Sequence, residues 1–189
     1  MNPGSIICIC GAGTMGIGIA QAAASSGFYA ILYDLNDSIL EKAKTSIENN
    51  LQSLVEKRKI TGNAKEETLN NVRFTNNLHD CLGDVIIEAI IETPEAKIAL
   101  FNQLAEINHS ETVFASNTSS LSITQIAKGV KNPERVIGMH FFNPATIMKL
   151  VEVVKTELTN EQTTNIIIEL SKMMNKTPVL CKDSPGFIV

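Results

Sequence analysis

The 189 residues carry a formal net charge of −4 at pH 7, and 44% are hydrophobic, which is enough to build the core of one large domain. The basic residues are scattered apart from Lys57-Arg58-Lys59, so the composition excludes an extended basic surface for nucleic acid. No apolar segment approaches the roughly twenty residues of a membrane span, and no signal sequence opens the chain, so we expect a cytoplasmic protein without membrane contact.

The first predicted elements form a dinucleotide-binding unit. A strand over Ser5–Cys10, a helix over Thr14–Ser26 and a strand over Tyr29–Tyr33 enclose the sequence GAGTMG. This turn consists of Gly11, Ala12, Gly13, Thr14, Met15 and Gly16. The first glycine permits a sharp turn, the second a close backbone approach to pyrophosphate and the third close helix packing. The free N–H groups of the helix N-terminus then suit a phosphate.

Asp34 follows the second strand and indicates which dinucleotide binds. A carboxylate there accepts hydrogen bonds from the adenosine ribose hydroxyls and would repel a 2′-phosphate, so NAD is favoured over NADP. Asp34 could also cap the next helix, although Asp37 could do that alone. Both roles are compatible.

Helices and strands continue to alternate after Asp34. A polar-faced helix or helix pair over Asp37–Lys59 and a second helical stretch form an insertion after strand two. The later predicted strands are Val72–Thr75, Val85–Ile91, Thr112–Ala115, Arg135–Met139, Lys149–Val154 and Pro178–Cys181. The later predicted helices are Pro94–Ile107, Ile123–Ala127 and Glu161–Met174. This order predicts an α/β domain over residues 1–189 with a Rossmann-type, doubly wound, mostly parallel sheet.

The cysteines predict core packing in a reducing compartment rather than a metal site. Cys8, Cys10, Cys81 and Cys181 show no paired ligand spacing, so no metal is expected. Cys8 and Cys10 share one face of a strand, where small sulfur side chains most often pack in the core.

His140 is the strongest candidate for proton transfer. It directly follows a predicted strand, where α/β sheets meet their ligands, and Glu152 interrupts the apolar run Leu150–Val154. A carboxylate in a buried strand needs a donor, and the imidazole could supply it. The alternative places Glu152 on a solvated face and lets His140 pack beside two phenylalanines. His79 and His109 lie in polar turns and are expected to be solvated.

Ser116–Ser120 supplies hydroxyl and amide groups at the carboxyl end of a strand. Capping of the helix that begins near Ile123 is the first interpretation, and ligand contact is the alternative.

Six sequence blocks, taken together, indicate the protein family more specifically than any one of them does. They are GAGTMG, Ile87–Glu92, Ala115–Leu121, His140–Pro144, Lys149–Val153 and Lys182–Phe187. In this order the chain resembles, over its whole length, the NAD-binding domain of the L-3-hydroxyacyl-CoA dehydrogenases. The blocks of the second half are more specific than the glycine turn, which many dehydrogenases share.

The resemblance implies a reaction. His140 would remove the proton of the 3-hydroxyl group while a hydride passes from carbon three to NAD, and Glu152 would hold the imidazole. Ser119 would hydrogen-bond the substrate oxygen, and Asn143 would help to place cofactor and substrate. The expected partner is therefore an acyl-CoA thioester.

The resemblance also implies further contacts. Glu92 and Lys97 match positions that contact the nicotinamide-side ribose and phosphate, and Asn117, Ser119 and Asn143 are expected at the cofactor. Lys57 matches a lysine that contacts coenzyme A, although a solvated helix end is the alternative.

Two features depart from the family pattern. The family continues after Pro185–Val189 into an asparagine and a helical domain that forms a homodimer, so we expect that domain in a parent protein. The loop Pro144–Met148 lacks a second proline that is common there.

Two alternative functions stay open. The chain could be a noncatalytic NAD-binding module, or it could belong to a dehydrogenase of free hydroxy acids.

Overall fold

The computed structural model describes residues 2, 4–184 and 186–187, and the apolar sequence 185–189 lies largely outside them. The strands are β1 Ile6–Cys10, β2 Tyr29–Tyr33, β3 Val72–Thr75, β4 Val85–Glu88, β5 Val113–Ser116, β6 Val136–Phe141, β7 Leu150–Lys155 and β8 Thr177–Lys182. The helices are α1 Thr14–Ser25, α2 Asp37–Glu56, α3 Gly62–Asn70, α4 Pro94–Ile107, α5 Ile123–Lys128 and α6 Glu161–Met173. Short 3₁₀ helices cover Leu78–Asp80 and Pro133–Arg135.

The described strands form one sheet in the order β3-β2-β1-β4-β5-β6-β7-β8. The first six pair in parallel, β7 is antiparallel to β6, and β8 is parallel to β7. The predicted doubly wound, mostly parallel sheet is confirmed, with α2 and α3 as the insertion after β2. The chain moves outward from β1 in both directions, which creates a crevice at the carboxyl ends of β1 and β4.

Both faces of the sheet are covered, as the continuous apolar strands require. Ile7 and Ile9 of β1 pack with α1, α2 and α6, whereas Cys8 and Cys10 point to the other face and pack with α4 and α5. The expectation that these two cysteines belong to the core is confirmed, since both are fully buried.

Two caps differ from the sequence-based interpretation. The side chain of Asn36 accepts a hydrogen bond from the Ser38 N–H and caps α2, so neither Asp34 nor Asp37 does so. Ser122 caps α5 through the Gln125 N–H, so the hydroxyls of residues 116–120 do not.

Among the described residues, none of the helices has the length and apolar character needed to cross a bilayer.

Candidate active site

The glycine turn lies at the crevice between β1 and β4 and is closely packed. A Cβ on Gly16 would lie 1.7 Å from the Gly11 carbonyl oxygen, and a Cβ on Gly11 would lie 2.5 Å from the Ala89 carbonyl oxygen. Gly13, in contrast, has no heavy atom within 4 Å of such a Cβ. It is the N-cap of α1, and no side chain occupies the capping position. The turn therefore leaves an open backbone surface at the helix N-terminus, as an anion site requires.

Asp34 is fixed beside this turn by backbone groups. Its Oδ2 accepts a hydrogen bond of 2.9 Å from the Ala12 N–H, and its Oδ1 accepts one of 3.0 Å from the Asn36 N–H. Gly11 donates its N–H to the Tyr33 carbonyl over 2.8 Å, which holds the turn against the end of β2. The carboxylate is half-buried and keeps a position at the tip of β2.

Two cavities adjoin the turn and share Ala89 and Ile90 in their walls. The first, of about 590 Å³, includes Asp34 and is otherwise mainly apolar. The second, of about 410 Å³, is lined by Met15, Ala89, Ile90, Glu92, Lys97, Asn117, Ser119, His140, Phe141, Phe142 and Asn143. The first cavity is therefore mainly apolar, whereas the second combines apolar walls with several polar and charged side chains.

The second cavity contains His140 paired with Glu152. The antiparallel register of β6 and β7 sets the two residues opposite each other, and Nδ1 lies 2.7 Å from Oε2. Glu152 is fully buried, which rules out the solvated strand face considered above. In the tautomer that carries its hydrogen on Nδ1, the imidazole donates to the Glu152 carboxylate, and Nε2 is the nitrogen that can accept a proton. The His140 ring also packs on Phe142, with 4.6 Å between the ring centroids.

A buried ion network forms one wall of the same cavity. Lys97 is 1% exposed, and its Nζ lies 2.6 Å from Glu88 Oε1 and 3.0 Å from Glu92 Oε2. The fully buried Glu88 also accepts hydrogen bonds from the Ser116 hydroxyl and the Ile90 N–H. Glu88 is the only charged residue of the strand predicted over Val85–Ile91, and a carboxylate among apolar residues already signals a buried partner nearby.

The loop after β5 closes around Glu92. The Thr118 hydroxyl and the Ser119 N–H both donate to Glu92 Oε1. Burial alone would raise the pKa of Glu92, but the hydrogen bonds from Thr118 and Lys97 outweigh it and lower the pKa. The hydroxyls first interpreted as helix caps therefore stabilise a carboxylate at the edge of the cavity, with Glu92 41% exposed there.

The remaining predicted residues divide into those that reach the cavity and those that do not. Asn117 accepts the Phe141 N–H through Oδ1 over 2.9 Å, which ties the loop after β5 to the end of β6. Asn143 is exposed at the cavity and precedes a cis peptide bond to Pro144. Lys57 follows α2 and is exposed, but it lines neither cavity. His79 and His109 are exposed as expected, and neither lines the two cavities.

The chain is similar to proteins of one family. Residues 6–184 match the family model described as 3-hydroxyacyl-CoA dehydrogenase, NAD binding domain. The 3-hydroxyadipyl-CoA dehydrogenase of Escherichia coli (strain K12) is 45% identical over 184 residues, which cover 97% of this chain and 39% of that protein. The 3-hydroxybutyryl-CoA dehydrogenase of Clostridioides difficile is 44% identical over 184 residues, covering 97% of this chain and 66% of that protein.

Solved structures agree with these sequence matches. The crystal structure of 3-hydroxybutyryl-CoA dehydrogenase from E. coli K12 has a TM-score of 0.96 and 44% identity, and covers 100% of this chain and 40% of the matched chain. The (S)-3-hydroxybutyryl-CoA dehydrogenase PaaH1 from Ralstonia eutropha has a TM-score of 0.95 and 37% identity, covering 98% of this chain and 66% of the matched chain. The chain spans 39% of the E. coli 3-hydroxyadipyl-CoA dehydrogenase and 66% of the C. difficile enzyme.

Proposed function

We propose that this chain, which belongs to the family of 3-hydroxyacyl-CoA dehydrogenase NAD-binding domains, is the cofactor-binding part of an enzyme that oxidises L-3-hydroxyacyl-CoA to 3-oxoacyl-CoA or catalyses the reverse reduction. The observation that carries this proposal is the 2.7 Å contact between His140 and Glu152 in a cavity next to the glycine turn. An acid-base pair and a dinucleotide turn at one crevice are what a hydride-transfer reaction on an alcohol requires.

The residues present fit NAD. The open backbone at Gly13 and the N-terminus of α1 suit the pyrophosphate, and the apolar cavity beside Asp34 suits the adenosine. Asp34 would accept hydrogen bonds from the ribose hydroxyls and would repel a 2′-phosphate. Bound NAD supplies the acceptor for the hydride from carbon three of the substrate.

The chain's own contribution to the reaction is the movement of one proton. Nε2 of His140 accepts the proton of the 3-hydroxyl group, and the oxygen keeps the electron pair of the O–H bond to form the carbonyl group. The buried carboxylate of Glu152 holds the ring through Nδ1 and stabilises the positive charge that develops on it. In the reverse direction, the imidazolium returns the proton to the oxygen.

The neighbouring polar residues would place the reactants. Ser119 and Asn143 are exposed to the cavity and would hydrogen-bond the substrate oxygen and the nicotinamide end of the cofactor, and Asn117 supports the same wall. Glu92 would contact the ribose, with Lys97 behind it as the cation that positions its carboxylate. Lys57 would contact coenzyme A outside both cavities.

Substitution of His140 in the full-length protein tests the proposal. His140→Ala should lower kcat for acetoacetyl-CoA reduction by about a hundredfold or more, because the imidazolium supplies the proton in that direction. The affinity for NADH should stay unchanged, since the glycine turn and Asp34 are untouched. His79→Ala, an exposed histidine outside both cavities, is the matched control and should retain full activity. A His140→Ala rate near that of the wild type would refute the assignment.

Two further measurements separate the alternatives. Calorimetric binding of NADH without turnover by the wild-type protein would identify a noncatalytic module. Equal rates with acetoacetate and acetoacetyl-CoA would instead indicate a dehydrogenase of free hydroxy acids. The helical C-terminal domain and the homodimer it would form stay predictions, which the mass and oligomeric state of the protein from its native source would test.

A further inference from the structure

Three buried cysteines form a compact sulfur cluster on the face of the sheet covered by α4 and α5. Cys8 and Cys10 project from the same face of β1, and Cys81 joins them from the segment between the 3₁₀ helix at Leu78–Asp80 and β4. Their three Sγ atoms all lie within 4.8 Å of one another, and those of Cys8 and Cys10 are 4.0 Å apart. All three residues are fully buried. Cys81 has no ligand-type spacing to the other two cysteines, so the sequence alone does not predict this cluster.

The composition of the cluster restricts the ion that it can hold. Among the described residues the group contains three thiols and no histidine or carboxylate. A structural zinc site needs four ligands, so a three-sulfur group does not complete one. Three thiolates around a divalent ion would leave a net charge of −1, and around a monovalent ion −2. An uncompensated charge in the core is costly. A trivalent ion with three thiolates is neutral and is compatible with apolar surroundings.

We propose that Cys8, Cys10 and Cys81 form a binding site for one trivalent thiophilic ion. The ligand is arsenic(III), which reaches the site as arsenous acid. Three As–OH bonds and three S–H bonds break, and three As–S bonds form. The balance is As(OH)₃ + 3 Cys–SH → As(S–Cys)₃ + 3 H₂O, with no change in the oxidation state of arsenic or sulfur. Soft thiolate ligands suit such an ion.

The structure also indicates how a buried cluster could take up an ion. Cys8 and Cys10 lie in β1, which is paired on one side with β2 and on the other with β4. Cys81 instead lies in a connecting segment at the protein surface, next to Leu82, which is 48% exposed. Local opening of that segment would make Cys81 accessible, and an ion bound there would reach Cys8 and Cys10 when the segment closes, without breaking the sheet. Uptake should therefore be slow but should not require unfolding.

The test measures arsenic bound to the full chain. The reduced protein is incubated with sodium arsenite, separated from free arsenite by gel filtration and analysed for bound arsenic. We expect one arsenic per chain. X-ray absorption at the arsenic edge should show three sulfur neighbours. These two readouts on the wild-type protein do not depend on any variant folding.

Variants locate the site. Cys81→Ala should bind arsenic more weakly than the wild type and show no more than two sulfur neighbours, because only two thiols of the cluster remain. Cys181→Ala is the matched control: it removes a fourth buried cysteine, in β8, which lies outside the cluster. That variant should bind arsenic like the wild type. The proposal is overturned if the wild type retains no arsenic, if only two sulfur neighbours are found, or if Cys81→Ala binds as well as Cys181→Ala.

Discussion

The substitution Lys97→Met tests the buried ion network most directly. Methionine keeps an unbranched side chain in the core but removes the ammonium group that pairs with Glu88 at 2.6 Å and with Glu92 at 3.0 Å. Glu88 is fully buried, so it would keep its hydrogen bonds to Ser116 and Ile90 and lose its cation. Glu92 is 41% exposed, and water would screen part of its charge. Most of the cost therefore comes from Glu88.

The loss of unfolding free energy in Lys97→Met follows from the burial of Glu88. Removing one partner of a buried ion pair costs about 3–5 kcal/mol, because it leaves an uncompensated charge in the core. For a chain of this length, each kcal/mol lowers Tm by about 2–4 °C, so Lys97→Met should melt about 6–20 °C below the wild type. Urea unfolding and calorimetry measure both quantities.

A surface pair of similar geometry provides the control. Lys131 Nζ lies 3.0 Å from Glu106 Oε1, but the two side chains are 62% and 67% exposed. Lys131→Met should therefore cost less than about 1 kcal/mol. Adding Glu88→Gln to Lys97→Met should recover part of the loss, since the buried charge is then absent as well. If Lys97→Met were no more destabilising than Lys131→Met, the assignment of a buried charge to Glu88 would be wrong.

Three further predictions concern the cofactor turn and the wall of the cavity. Gly16→Ala should strongly lower the free energy of unfolding even without cofactor, because its Cβ would meet the Gly11 carbonyl oxygen. Gly13→Ala should cost only about 1 kcal/mol at this N-cap but should weaken NADH binding about tenfold or more. Equal losses of unfolding free energy in the two variants would contradict this difference. Asp34→Ala should weaken NADH binding more than NADPH binding in calorimetric titrations, and an unchanged ratio would exclude the ribose contact. The pKa of Glu92 is lowered from its ordinary value of 4.5, so its carboxylate stabilises the fold above that pH, and this stability is lost as the pH falls through the folded-state pKa. The unfolding free energy of Glu92→Gln, measured between pH 3 and 6, should therefore depend less on pH than that of the wild type. The same pH dependence in both proteins would count against the network.

Local patterns in the sequence predicted most of the elements, and the errors have local causes. The bounds of β2, β3 and α4 are as predicted, since a short apolar run defines β2, an alternating pattern defines β3 and an opening proline defines α4. The strand predicted over Val85–Ile91 ends at Glu88, because that side chain binds the Ile90 N–H and the chain turns. Apolar character alone cannot reveal such a turn.

The helix caps show a different limit. Before α2 several polar residues could each serve as the N-cap, and the backbone conformation selects Asn36. Before α5 it selects Ser122. The hydroxyls of residues 116–120 instead bind the carboxylates of Glu88 and Glu92, which lie far from them in sequence.

Backbone preferences and hydrophobic periodicity act within a few residues, so they are enough to predict the strand, glycine turn, helix and second strand of the cofactor unit. Which distant side chains meet depends instead on how the strands pair in the folded chain. The contact of His140 with Glu152 depends on the register of β6 and β7, and a shift of one residue would turn Glu152 to the opposite face of the sheet. The pairing of Lys97 with Glu88 and the approach of Cys81 to β1 depend in the same way on strand order, which no local pattern encodes.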